Sequence, residues 1–384
     1  MDFEKYPFEK LNDFLKDSKP NKDYALSNLT IGEPQFQTPQ FIQDKLCEYA
    51  STLNKYPKTS GEDFLLQSMT NFIKNRFDVA LEKNQLLSSF GTREVLFNFP
   101  QFLLFSKQNP CMAFTNPFYQ IYEGAAKASR AKVIYMDLDK KNDFTPSLSK
   151  EQMQACHLVI LNFPNNPTGK ELSLKELELW AEDALKYDFV LLNDECYSDI
   201  YFNQMPPSLL QASKNIGNTD FKNILVVNSI SKRSSAPGLR SGLIAGDTEI
   251  LASYAKYRTY TGCASPLPLQ HASASAWNDL EANKYFREIY KKNFALAKEI
   301  LNIKIPNSSF YLWLEVRDDL SFCKALFEQK AIKVLAGRFL GRQGMGEGYV
   351  RIALVENPEK TKQSLLRLRD FLDSFESKNK GKEL

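Results

Sequence analysis

Short apolar runs alternate with longer amphipathic ones over the first two thirds of the chain. Residues 86–90 read as a strand, and a helical run follows from 92 to about 105. Pro100 lies inside that run and predicts a kink or early stop, because proline removes a backbone donor and crowds the preceding turn. Residues 111–114, 132–136, 157–161, 189–192, 224–227 and 243–245 are further strand candidates. Leu174, Leu177, Ala181, Ala184 and Leu185 recur at helical spacing and predict an amphipathic helix between two of them. Strands separated by helices predict an α/β fold with a mostly parallel sheet flanked by helices on both faces. After about Pro266 the pattern changes. A long charged helix is predicted over 270–300, then a strand at 309–316, a helix at 321–330 and a strand at 349–354, together a smaller α+β unit. The expected division is an N-terminal arm (1–40) that packs with the small unit, a large domain (41–270) and a small C-terminal domain (271–384).

The 384 residues are too many for one ordinary core, which agrees with two domains. An apolar content of 43% and a charged content of 25% suit a soluble globular protein. The net charge of +3 and the lack of a long basic run exclude nucleic acid as an expected partner. Residues 1–19 hold no apolar h-region, and no stretch approaches the eighteen apolar residues of a membrane span. The six cysteines are scattered without a C-x-x-C pair, so no zinc site is expected and a reducing cytoplasm is. Two histidines, His157 and His271, give little support to a histidine metal centre or a serine-hydrolase triad. No G-x-G-x-x-G follows an early strand, and no Walker A sequence exists. Gly344-Met-Gly-Glu-Gly348 precedes a strand and reads as a mobile loop.

Five polar clusters each follow a predicted strand. They are Gly91-Thr92-Arg93-Glu94, Asn116-Pro-Phe-Tyr119, Asn165-Asn166-Pro-Thr-Gly169, Asp194-Glu-Cys-Tyr197 and Ser229-Ile-Ser231-Lys232. In open α/β sheets ligands bind outside the carboxyl ends of the strands, so the five converge on one site. Gly91 at a helix start suits a phosphate, which the free N–H groups and the helix dipole favour. Ser229, Ser231 and Arg240 add hydroxyl donors and a bidentate guanidinium. A carboxylate ending an apolar strand, Asp194, needs a partner. Taken singly, Gly91 is as well a plain helix start, Asp194 a helix cap, Tyr119 packing and Lys232 a surface lysine; the flanking serines and Arg233 set Lys232 apart.

Asn166-Pro-Thr-Gly, Asp194-x-x-Tyr197, Ser229-x-Ser-Lys232 and Arg240, eight residues after the lysine, resemble the signature of the fold-type I, class I/II aminotransferases. Leu29-Thr-Ile-Gly-Glu-Pro34, Tyr56 and Arg351-Ile-Ala-Leu also fit, so the likeness spans nearly the whole chain. The stretches 116–126, 231–242, 257–263 and 309–314 are similar to the N-succinyl-diaminopimelate aminotransferases, a family within that class that serves lysine synthesis. Ala264-Ser-Pro-Leu and Pro100 depart from that pattern.

The resemblance implies pyridoxal 5′-phosphate as cofactor and an amino acid with 2-oxoglutarate as substrates. Lys232 would bind the cofactor covalently and move a proton. Asp194 would pair with the ring nitrogen, Asn166 and Tyr197 with the ring oxygen, and Tyr119 would stack on the ring. Gly91, Thr92, Arg93, Ser229, Ser231 and Arg240 would surround the phosphate. Arg351 and Gly32 would take the α-carboxylate. Tyr56 would complete a neighbour's phosphate site, which implies a homodimer. A carboxylate at the substrate's far end needs a further cation; Arg258 is the expected one, with Arg233, Arg93 and Arg342 behind it. Alternatives within the cofactor class are an aspartate or aromatic aminotransferase and a C–S β-lyase. A cofactor-binding transcription regulator would need a DNA-binding domain where only about thirty residues precede Gly32.

Overall fold

The computed structural model describes residues 3–380, with side chains through residue 374. In chain order its strands are β1 (Ser27–Asn28), β2 (Leu86–Ser89), β3 (Cys111–Asn116), β4 (Lys132–Asp137), β5 (Leu158–Leu161), β6 (Val190–Asp194), β7 (Ile224–Ser229), β8 (Gly242–Gly246), β9 (Tyr311–Glu315), β10 (Ile332–Lys333), β11 (Leu335–Ala336) and β12 (Tyr349–Ala353). Seven of them form the central sheet, in the order β2-β8-β7-β6-β5-β3-β4. Its middle strands are almost wholly apolar because both faces are covered. Val159 and Leu161 enter one core with Leu191, Trp180 and Trp277. Leu158 and Ile160, pointing the other way, enter a second with Leu192, Leu96 and Phe99.

Strand β8 is the exception in direction. It runs antiparallel to both β2 and β7. The carboxyl ends of β2, β3, β5, β6 and β7 therefore share one edge with the amino end of β8, where Arg240 lies.

Three local expectations need correction. The helix Thr92–Leu104 runs through Pro100 without stopping. Val95, Leu96, Phe99 and Leu104 are buried along it, and that packing outweighs one missing hydrogen bond. On the helix Leu174–Tyr187, capped by Ser173 and Glu176, the buried face is Leu177, Trp180, Ala181 and Ala184. Leu185 is exposed, one step beyond that stripe. The long helix expected over 270–300 is two helices, Leu267–Asn278 and Glu281–Leu301. Asp279 is extended, and its carboxylate accepts from the N–H groups of Ala282 and Asn283 at 3.2 Å each.

That break matters for the division of the chain. Ala272, Ala276 and Trp277 belong to the large core, whereas Phe286, Tyr290 and Phe294 belong to the core of the small unit. The packing changes over at Asp279–Leu280, later than the expected 270. The small unit holds the sheet β11-β12-β9, and the arm joins it through the β1–β10 pair and through Leu11, Leu15 and Leu29. Just ahead of the glycine-rich segment the chain is held at Arg342. Asn116 Nδ2 donates to Arg342 O at 3.0 Å and Asn116 Oδ1 accepts from Arg342 N at 2.9 Å. Among the described residues no helix is long and apolar enough to cross a membrane.

Leu191 is fully buried at the sheet centre. Leu191→Ala is expected to lower the unfolding free energy by about 2–5 kcal/mol in a denaturant titration. A loss well under 1 kcal/mol would show that this core can collapse around the gap.

Candidate active site

A cavity of about 460 Å³ opens at the shared strand edge. At one end Gly91, with φ 74°, starts the helix Thr92–Leu104. A Cβ there would meet Arg240 Nη2 at 2.2 Å, so only glycine lets the backbone come this close. Arg240 donates to Pro237 O at 3.0 Å, and Arg93 Nε donates to the Tyr119 hydroxyl at 2.8 Å. Neither guanidinium has a carboxylate partner among the described residues. Ser229 donates to Ser231 Oγ at 2.9 Å, and both line the cavity.

Midway lie Lys232 and Asp194. Lys232 lies in the short helix Ile230–Arg233 that Ser229 caps, and its Nζ donates to Gly32 O. Burial among protein atoms depresses its pKa below the usual lysine value. Asp194 ends β6 and is buried, which pushes its carboxyl pKa up. It accepts from the Tyr122 hydroxyl at 2.9 Å and from Cys196 N at 3.2 Å. It has no cation beside it among the described residues. The Tyr197 hydroxyl lies 3.3 Å from that of Tyr311, and burial pushes it well above the usual tyrosine value.

At the other end Arg351 is buried on β12. Nη1 donates to Asn166 Oδ1 at 2.8 Å and Nη2 to Thr30 O at 2.7 Å, while Nε is buried without a partner. The Tyr311 ring lies under the guanidinium at 4.3 Å. Gly32 has no room for a side chain, since a Cβ would sit 1.8 Å from the Tyr311 hydroxyl.

The fold thus brings Gly32, Thr92, Arg93, Tyr119, Asn166, Asp194, Tyr197, Ser229, Ser231, Lys232, Arg240 and Arg351 to one cavity, with Gly91 at its rim. Two residues lie outside this cavity, Tyr56, expected at a neighbour's site, and Arg258. Tyr56 is fully exposed on the surface. Arg258 is buried away from the cavity, and its guanidinium is spent on Glu94 at 2.9 Å, Thr59 O at 2.9 Å and Cys263 O at 2.9 Å. So paired, Arg258 braces its own subunit and is a poor donor for a substrate carboxylate. Arg233 and Arg342 are likewise paired, with Asp199 and Glu123. Of the four candidate cations, Arg93 alone lines the cavity and lacks an acidic partner among the described residues.

Tyr122, Tyr311 and Asn162 were not singled out from the sequence. Asn162 Nδ2 donates to Asp194 O at 3.0 Å, and its Oδ1 accepts from Asn166 N at 3.1 Å. As the first residue after β5 it was findable from position. Tyr311 stands in the 309–314 stretch, but nothing local marks Tyr122 as Asp194's partner.

A part-buried lysine with a lowered pKa, a buried acid with no cation beside it and two arginines with no carboxylate partner, all among the described residues, suit a phosphorylated, ring-containing cofactor. The chain matches the aminotransferase class I and II family over residues 25–368 and belongs to it. Members of this family are pyridoxal 5′-phosphate-dependent enzymes that transfer amino groups. The chain is similar to aminotransferase AspB of Helicobacter pylori 26695, with a TM-score of 0.95 and 50% identity over 97% of this chain and 99% of that one. It is also similar to an aminotransferase of Neisseria meningitidis Z2491, with a TM-score of 0.90 and 38% identity over 95% of this chain and 96% of that one. The LL-diaminopimelate aminotransferase of Maridesulfovibrio salexigens is 27% identical over 93% of this chain and 94% of its own length.

The residues fit the cofactor. The dianionic phosphate matches Arg240 and the open backbone at Gly91, and a protonated ring nitrogen supplies the cation that Asp194 lacks. Among the described residues no group of three or more His, Cys, Asp or Glu could hold a metal.

Glu195, beside Asp194, faces away from this chemistry. Its Oε1 accepts from Leu209 N at 2.8 Å and Ser208 Oγ at 3.0 Å, while Oε2 is buried without a partner. Burial raises its pKa from 4.5 to about 7. Between those values the folded protein holds a proton that the unfolded chain has released, so stability falls as pH rises through this window. Glu195→Gln is expected to be more stable than the parent at pH 8 by up to a few kcal/mol, with the difference shrinking toward pH 4.5. Equal stability differences at pH 8 and pH 5 would contradict the raised pKa.

Proposed function

We propose that the protein moves an amino group between 2-oxoglutarate and an amino acid with a carboxylate at its far end, specifically N-succinyl-LL-2,6-diaminopimelate. The observation that carries this is Arg93. Its Nε is tied to Tyr119, its outer nitrogens have no partner among the described residues, and it lines the same cavity as Arg351. The orphaned Arg351 Nε adds a donor for the α-carboxylate. Two separated guanidiniums suit a substrate with a carboxylate at each end. Similarity to an LL-diaminopimelate aminotransferase supports the same chemical class.

Pyridoxal phosphate, when bound, draws the electrons of the α-carbon bonds into its ring. Lys232 would hold the cofactor covalently, and its Nζ, once released by the substrate's amino group, would take the substrate's α-proton. Its depressed pKa raises the neutral fraction available as a base. Asp194 would hold the ring nitrogen protonated. Asn166 and Tyr197 would hydrogen-bond the ring oxygen, and Tyr119 would pack on the ring. Gly91, Thr92, Ser229, Ser231 and Arg240 would take the phosphate, with Arg93 between phosphate and substrate. Gly32, through its carbonyl, holds the lysine amine before reaction.

A homodimer completes this reading. Tyr56, Leu53 and Tyr260 are large apolar side chains left exposed, and a second copy of the chain would cover them and bring Tyr56 to its neighbour's phosphate site. Six free cysteines support a reducing cytoplasm.

Lys232→Ala is expected to lose the visible absorbance of bound cofactor and all amino transfer; transamination retained in this variant would refute the mechanism. Arg93→Ala should reduce kcat/KM about ten- to a hundredfold for glutamate and the succinylated substrate, and little for alanine or aromatic amino acids. Equal losses across that panel would remove Arg93 from selectivity. Release of pyruvate and ammonia without a keto-acid acceptor would instead mark a C–S β-lyase. Arg258→Ala should lower the melting temperature and leave substrate preference unchanged.

A further inference from the structure

Arg233 follows Lys232 directly, yet its side chain leaves the cavity and is almost fully buried. Nε donates to Asp199 Oδ2 at 2.5 Å, Nη1 to Ala276 O at 2.9 Å and Nη2 to Asp279 O at 3.0 Å. The two carbonyls stand where the helix Leu267–Asn278 of the large unit gives way to the helix Glu281–Leu301 of the small one. Asp199 in turn follows Tyr197 by two residues. Its Oδ1 accepts from Arg76 Nε at 2.8 Å, and its Oδ2 also accepts from Asn283 Nδ2 at 3.0 Å, from the first turn of the small-unit helix. Burial alone would raise the Asp199 pKa, but the guanidiniums of Arg233 and Arg76 outweigh it and hold it below the usual value. The carboxylate thus stays ionised and can bind all three donors at once. A cavity of about 270 Å³ beside this cluster leaves space at the joint.

We propose that Arg233 is a positioning residue that couples the two units: through Asp199 and the Asp279 carbonyl it ties the segments bearing Lys232 and Tyr197 to the joint at Asp279–Leu280. A swing of the small unit, which carries Arg351, then moves with the setting of the lysine amine. Substrate engagement by Arg351 and proton transfer by Lys232 are linked through a rigid buried bridge rather than through the cavity. This rests on the reading of Lys232 as the reacting amine, which Lys232→Ala tests separately by loss of the bound chromophore.

Arg233→Lys keeps a cation for Asp199 but cannot reach both carbonyls with a planar fork. The holoenzyme of this variant is expected to show three changes together. Amide exchange at residues 279–284 should quicken at least about tenfold, since a charge-assisted hydrogen bond is lost. The midpoint of the pH titration of the cofactor's visible absorbance should shift, because the lysine amine is set differently. kcat should fall about tenfold with a smaller change in KM for glutamate. Asn283→Ala cuts the carboxylate's link to the small unit and spares the ion pair; it should quicken exchange and lower kcat without moving the absorbance midpoint. Faster exchange in Arg233→Lys with kcat and midpoint both unchanged would reduce the cluster to a structural brace and overturn the proposal. So would an Arg233→Lys enzyme indistinguishable from the parent in all three. If Arg233→Lys fails to fold, unchanged exchange and kcat in Asn283→Ala overturn it alone.

Discussion

A carboxylate buried at the end of an apolar strand is the constraint from which this molecule is best understood. Asp194 closes β6 with two hydrogen-bond donors beside it and no cation. Leaving it ionised there is unfavourable, and its raised pKa says so. The surrounding design answers that deficit. Asn162 fixes the backbone carbonyl of the same residue, Tyr122 orients one carboxylate oxygen, and the cavity in front is shaped for a group that brings a positive ring nitrogen. The folded protein alone is therefore electrostatically unfinished at its centre.

The same logic of unfinished charge runs to both ends of the cavity. Arg240 and Arg93 stand near each other without an anion, and Arg351 keeps a buried donor unused. Each is held by hydrogen bonds to carbonyls, an amide or a hydroxyl, which orient a guanidinium without neutralising it. Elsewhere in the interior, guanidiniums are matched with carboxylates, as at Arg258–Glu94 and Arg233–Asp199. The contrast separates cations that brace the fold from cations reserved for a ligand.

Much of this was legible in the sequence. Short continuous apolar runs marked the strands of the large sheet, and the polar residues directly after them marked the edge where the cavity lies. Arg240 was legible as a site residue even though its strand runs backwards, because only its spacing from Lys232 had to be read. What failed was tertiary in origin. No local signal tells that Arg258 meets Glu94, 164 positions away, so a cation near a promising segment looked free when it is spent. Pro100 looked like a stop because the packing of Phe99 and Leu96 is invisible in the linear pattern. The break at Asp279 could have been read: an acidic residue ahead of a charged helix is a capping signal, and it was passed over within a continuous run of helix formers.

The bond from Arg351 to the carbonyl of Thr30 spans 321 positions, and that from Lys232 to Gly32 spans 200. Contacts of such separation close very large loops, whose entropy must be met before they give anything back. On a ribosome the cavity cannot take shape until nearly the whole chain has emerged, because the floor comes from the middle of the sequence and the far wall from its two ends. A nascent or prematurely ended chain can fold its central sheet yet hold no complete pocket. Competence thus arrives late, when both ends of the chain have joined the cavity.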